Sequence, residues 1–315
     1  MKLISTNQLV STVDEDVCLQ ARLTVIDKVV SRAQGQTWIR LSDSFGDLDA
    51  TVLANTLAGQ WLHMLSEPGN IAVEVVGQTL VCKDGVRLTV KELYAIDASH
   101  VINAARLMPT SWVPVGAKDA WGSLIDFIDN LESQNLRDFI NAVLMDEKIG
   151  GPFAQSRASG ENHRSFIGGL VVHSMEVAIL AGAIADTLHC QLRDKELTQV
   201  AALLHDLGKI NTVGTENPRP MPPKLFKHET QSLLLLAPHL DRLQSQAPEL
   251  CWVLTHLLER LATDNSALRS HFIGEDIVRY ADYLSAANDI GKGMTNFLGL
   301  CGYATKHPFR LKQAA

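Results

Sequence analysis

The chain has 315 residues, 20% of them charged and 46% hydrophobic, with a formal net charge of −7. That length suits two domains with buried cores. The acidic balance weighs against broad nonspecific affinity for nucleic acid, which needs phosphate-neutralising Lys and Arg, although a local basic groove is compatible with it.

The opening "MKLISTNQLVSTVDED" has no apolar core of signal-peptide length. From there to about residue 98 the pattern is β. "VCLQARLTVIDKVV" alternates imperfectly, and "TWIRLSDSFGDLDATVL" carries two short apolar runs about a Ser-Phe-Gly turn. "LANTLAGQWLHML" has the composition of a short helix. "IAVEVVGQTLVCKDGVRLTVKEL" forms two strands about a Lys-Asp-Gly turn at 83–85. Five strands with a helix before the fourth fit an OB-fold barrel. An SH3-like barrel or a small sandwich fits the same pattern. The expected fold class is therefore α+β: a β-barrel over 1–98, a linker over 99–116 and an all-α helical bundle over 117–315.

The linker rests on "ARLMPTSWVPVG", which has two prolines, a glycine and no period. After it the spacing turns helical, with Leu124, Phe127, Ile128 and Leu131 on one face. The exception is "NTVGTENPRPMPPKLFKHE", 211–229, whose four prolines forbid continuous helix. Its Arg219, Lys224 and Lys227 make it a candidate lid over a phosphate backbone. No stretch matches the roughly 18 uncharged apolar residues of a membrane span, so no membrane association is expected. Cys18, Cys82, Cys190, Cys251 and Cys301 are dispersed and odd in number, and form no CxxC pair. A disulfide framework or zinc ribbon is not expected, and the cytoplasm is the expected compartment.

The helical half is punctuated by His173, His205–Asp206, His228, His256 and Asp282, each helical member within or beside an apolar face. A lone histidine in such a place is more often a satisfied core residue than a ligand. Several on successive helices are how bundles build metal sites, and mixed imidazole and carboxylate donors suit Mn, Fe, Co, Ni or Zn better than Ca. Asp206 could give one oxygen to each of two ions. In "HDLGK", Gly208 ends the helix or admits a close backbone, and Lys209 follows one turn on.

The order His, His-Asp, Asp with "HDLGK" resembles the HD-domain metal-dependent phosphohydrolases. The resemblance implies that His173, His205, Asp206 and Asp282 bind one divalent ion and that His228 and His256 join a second, with Asp206 bridging. It implies Mn, Co, Fe or Mg as the ions and places Lys209 near the substrate phosphate. A closer resemblance spans the chain. "GPFAQSRASGENHRSFIGGLVVHSMEVA", "RYADYLSAA" and the loop ending "KHE" are similar to YhaM-type 3′→5′ exoribonucleases, which join an OB domain to an HD domain. Such segments often carry paired histidines where this chain has His163 and Arg164, which are expected at the site edge. The implied activity is stepwise hydrolysis of single-stranded RNA or DNA to nucleoside monophosphates. In the barrel, Trp38 and Phe45, and less so Trp61, are the candidate base-stacking residues. Residues 1–100 hold 8 Lys plus Arg against 12 Asp plus Glu, a poor electrostatic funnel.

Two rival readings stay open. HD sites also hydrolyse nucleotides, cyclic nucleotides and phosphomonoesters. HD domains also occur in MobH-type relaxases of mobile elements, so an accessory nucleic-acid-binding role is the other. Tyr94, Tyr280, Tyr283 and Tyr303 form no paired tyrosine motif of the kind a nicking enzyme would use.

Overall fold

The computed structural model describes residues 5–6, 8, 16–27, 35–65, 71–82, 85–160, 164–215, 225–262 and 272–289. The chain divides into two compact units, one of residues 1–115 with 124–151, the other of 116–123 with 152–315.

The first unit is built on five strands: β1 (Asp16–Asp27), β2 (Gln36–Asp43), β3 (Gly46–Leu53), β4 (Ile71–Cys82) and β5 (Gly85–Ala95). They close into a barrel in the order β1-β2-β3-β5-β4, with β3 and β5 parallel and the other pairs antiparallel. This is the OB-like barrel expected from the strand pattern. Closure needs β1 to serve two neighbours. Its first half pairs with β4 and its second with β2, and the register shifts between Leu23 and Val25, where a bulge lets the strand bend. Val17, Leu19, Ala21 and Leu23 point inward at period two and meet Leu41, Val52, Val73, Val75 and Leu88 in the core.

The imperfect alternation of β1 has a cause. Gln20 and Arg22, on the opposite face, are buried as well. Gln20 donates to the carbonyl of His100 at 2.9 Å, and Arg22 Nε donates to that of Leu107 at 3.1 Å. Segment 99–116 thus packs with Val101, Ala104, Ala105, Leu107 and Met108 buried. The buried Asn141 side chain straps it down: Oδ1 accepts from Ala104 N at 2.9 Å and Nδ2 donates to Val101 O at 2.9 Å. The helix between β3 and β4, α1 (Leu57–Met64), begins at Thr56, whose hydroxyl caps Gly59 N at 3.1 Å. Of the Lys-Asp-Gly turn at 83–85, residues 83–84 lie outside the described residues.

α2 (Lys118–Asn130) contributes to both units, and α3 (Gln134–Met145) to the first. α4 (Gly150–Gln155) follows. The rest of the second unit is helical: α5 (Gly169–Thr187), α6 (Leu192–Leu204), α7 (Lys209–Thr212), α8 (His228–Gln246), α9 (Pro248–Ala262) and α10 (Ile273–Asp289). α5 is apolar nearly all round, which a helix sustains when it is enclosed. By length and composition it could cross a membrane, yet 61% of that stretch is buried within the fold, as for a core helix. α5 packs on α6 and on α10, which brings three helices onto one site. At Gly182 the Gln199 side chain of α6 lies against the α5 backbone, in the space a Cβ would take.

Candidate metal centre

His205 and Asp206 sit where α6 stops. Leu197, Val200, Ala201 and Leu204 bury the helix's stripe, and His205 continues it as the C-cap. His173 projects from the middle of α5 and Asp282 from α10. His173 Nε2 lies 3.1 Å from Asp206 Oδ2 and 3.1 Å from Asp282 Oδ1. His205 Nε2 lies 3.4 Å from Asp206 Oδ2 and 3.7 Å from Asp282 Oδ1. The two imidazoles stand 5.4 Å apart, centroid to centroid. Donor atoms of His173, His205 and Asp206 fall within 4.8 Å of one another, the compactness a single ion requires.

The other oxygen of Asp206 faces elsewhere: Oδ1 is 3.0 Å from Nε2 of His228, the first residue of α8. Asp206 therefore turns one oxygen to each of two histidine sets. Lys209, one turn on, rests its ammonium against Oδ2. With Asp206 only 2% exposed, this enclosure of charge needs every one of those partners.

Electrostatics and hydrogen bonding both fit a cation here. His205 Nδ1 donates to the Ala202 carbonyl at 2.7 Å, which turns Nε2 inward as the ligand atom, buried and with no hydrogen-bond partner among the described residues. Burial opposes a charge on His205, and the carboxylates of Asp206 and Asp282 outweigh it, lifting the imidazole to about 10. Burial likewise opposes charge on Asp206, but His205 and Lys209 hold its carboxyl well below the usual range. Asp282 is lowered too: the histidines overcome its desolvation. A field that favours a proton on His205 favours a divalent cation at the same nitrogen.

Gly208 has a backbone φ of −63°, so it does not reverse the chain. Its role is the close approach. A Cβ there would collide with the carbonyl of His228 and lie 2.6 Å from Ser232 N. Gly208 N donates to Ser232 Oγ at 2.8 Å, and Ser232 Oγ donates to the carbonyl of His205 at 2.9 Å. One serine thus ties the His-Asp turn to the first turn of α8.

His256 does not join the cluster in this structure. Its Nε2 is 2.9 Å from Glu275 Oε1, and Glu275 is also bonded by Arg260 Nε at 3.0 Å. Glu275 is 1% exposed, and a buried carboxylate needs such donors. Glu275 and Asp282 are seven residues apart on α10, about 10 Å at the helical rise, which separates His256 from the centre. His256 instead lines a groove of about 560 Å³ with Asp194, Leu197, Trp252 and Phe272. The second-ion set expected from sequence is thus represented by His228 and Asp206 alone among the described residues.

His163, Arg219 and Lys224 lie outside the described residues, and Lys227 is exposed just before α8. Arg164 has φ of 50°, a left-handed conformation that costs a non-glycine residue energy, and its guanidinium pairs with Glu176 on α5. Glu176 and Ser285, which accepts or donates between it and His173, were not singled out from sequence. Their signal is positional: each falls three residues after an expected ligand. In the barrel, Trp38 lies under the Arg87 guanidinium at 4.8 Å, and Phe45, 37% exposed, faces that of Arg106 at 5.4 Å. Trp61 packs against the barrel core.

Residues 170–287, which span α5 to α10, match the family described as HD domain. That match marks the helical segment as one of the metal-dependent phosphohydrolase class. Among solved structures, the second OB-fold domain of replication protein A from Methanococcus maripaludis is 17% identical, covering 30% of this chain and 96% of that one, with a TM-score of 0.24. A replication protein A heterotrimer bound to ssDNA is 11% identical over 31% of this chain and 83% of that one, TM-score 0.24. Asparaginyl-tRNA synthetase from Pyrococcus horikoshii is 12% identical over 60% of this chain and 34% of that one, TM-score 0.28. At such identities and scores the barrel is defined by its own strand order.

Proposed function

We propose that the protein is a metal-dependent 3′→5′ exonuclease that shortens single-stranded RNA or DNA to nucleoside monophosphates. The reading is carried by one observation: the cluster of buried His173, His205 and Asp206 with the half-exposed Asp282, in an HD domain, shares a chain with an OB-like barrel. A bound divalent ion supplies Lewis acidity and makes water a nucleophile near neutral pH. The chain's part is to hold the donors. The Ala202 carbonyl fixes His205 with Nε2 inward, Asp282 and Asp206 present carboxylate oxygens, and His228 extends the set from α8. Lys209 brings an ammonium to the cluster edge, where it can also donate to a nonbridging phosphate oxygen. Trp38, stacked with Arg87, and Phe45 offer faces to unpaired bases. Lys227, with Arg219 and Lys224 before it, adds positive charge ahead of α8.

The acidic balance of residues 1–100 favours a second reading, in which the same chemistry acts on mononucleotides or cyclic nucleotides. Digestion of 5′-labelled and 3′-labelled single strands beside a mononucleotide panel, with Mn, Co, Mg or chelator, separates them. Metal-dependent laddering from the 3′ end supports the exonuclease. Turnover of mononucleotides with intact strands supports the second reading, and equal turnover in chelator refutes both.

A further inference from the structure

Behind the cluster, α5 and α10 are joined by a second set of polar contacts. Ser285 Oγ donates to Glu176 Oε2 at 3.0 Å, and the His173 Nδ1 to Ser285 Oγ distance is 3.2 Å. Glu176 Oε1 is ion-paired with Arg164. These contacts have a direction. Glu176, paired with a guanidinium, offers Oε2 as an acceptor, so the single hydroxyl proton of Ser285 is committed to it. The serine oxygen can then only accept, and the donor is Nδ1–H of His173. An imidazole that donates from Nδ1 carries its lone pair on Nε2. That atom is the one 3.1 Å from both Asp206 and Asp282.

The spacing shows how two helices build this. His173 and Glu176 are three apart on α5, and Asp282 and Ser285 three apart on α10, so each helix presents a metal-facing residue and a partner one turn behind it. Ser285 is 6% exposed, and water does not substitute readily there. Arg164 anchors the outer end from a strained turn, with its carbonyl bonded by Ala158 N at 3.1 Å.

We propose that Ser285 and Glu176 are positioning residues that lock His173 as an Nε2 metal ligand, with Arg164 as the terminal anchor. This rests on the metal centre proposed above. Removing such an outer partner commonly lowers metal affinity about 10- to 100-fold.

The test uses the full chain stripped of metal. Mn²⁺ affinity is measured by titration calorimetry, and the His173 tautomer by ¹⁵N-resolved NMR of the imidazole after the stripped protein is reloaded with diamagnetic Zn²⁺. Wild type is expected to show the Nδ1–H tautomer. Ser285→Ala and Glu176→Gln are expected to weaken Mn²⁺ binding about 10- to 100-fold and to shift the tautomer. Ser285→Thr keeps the hydroxyl and is expected to restore both. Wild-type affinity and tautomer in Ser285→Ala and Glu176→Gln overturn the proposal, as does an Nε2–H tautomer in the wild type. Should the wild type bind no Mn²⁺, the metal centre itself fails, which is a different result from a bound ion indifferent to Ser285. If Ser285→Ala does not fold, the wild-type tautomer and Glu176→Gln still decide.

Discussion

Gly208→Ala adds one methyl group at the tightest junction of the centre. The new Cβ would overlap the His228 carbonyl and lie 2.6 Å from Ser232 N and 2.7 Å from Gln231 Cβ, inside the 3.0 Å that real Cβ contacts essentially never cross. Two of these neighbours are backbone, so relief cannot come from a rotamer. The start of α8 has to retreat by about 1 Å, at an overpacking cost of about 1–3 kcal/mol. At roughly 2–4 °C per kcal/mol for a unit of this size, the melting temperature falls by roughly 2–12 °C. The retreat also moves His228 off Asp206 and loosens the Ser232 bridge to His205. Misplacement of that order costs about 100-fold in turnover. Gly122→Ala is the control: a Cβ there meets nothing within 4 Å, and in mid-helix it should gain up to about 1 kcal/mol. Circular dichroism melts and an oligonucleotide hydrolysis assay report both quantities. A Gly208→Ala protein that melts and turns over like wild type would refute the close-approach account of this glycine.

His205→Ala and Asp206→Ala should each abolish hydrolysis while leaving the helical circular dichroism signal largely intact; activity that survives in either, with metal removed, contradicts the metal proposal. His256→Ala takes one donor from the buried Glu275 carboxylate, so it should lower stability by about 1–3 kcal/mol and leave Mn²⁺ stoichiometry unchanged. A lost equivalent of bound Mn²⁺ would instead return His256 to a ligand set. Trp38→Ala should weaken single-stranded RNA binding about 5- to 150-fold at fixed salt, from roughly 1–3 kcal/mol per stacked base. Unchanged fluorescence anisotropy titrations would remove Trp38 from the interface.

Much of the barrel was legible because its inner faces alternate at period two and its turns carry glycine. β1 read less cleanly because the buried Gln20 and Arg22 serve carbonyls of 100–107, contacts about 80 residues distant that no local window contains. In the helical half, "HDLGK" marked the centre because two polar side chains end an otherwise buried stripe. Spacing could not place His256. Whether its imidazole faces an ion or Glu275 depends on how α9 and α10 pack, and Glu275 lies 19 positions away. Glu176 and Ser285 went unread for another reason: a polar residue one turn from a ligand looks like any helix surface until a second helix covers it.

The most direct measurement is anomalous diffraction from crystals of the full chain soaked in Mn²⁺. The account expects a peak within bonding distance of His173 Nε2, His205 Nε2 and carboxylate oxygens of Asp206 and Asp282. A fully soaked crystal with no peak among those four side chains, or with its peak beside His256, would contradict it.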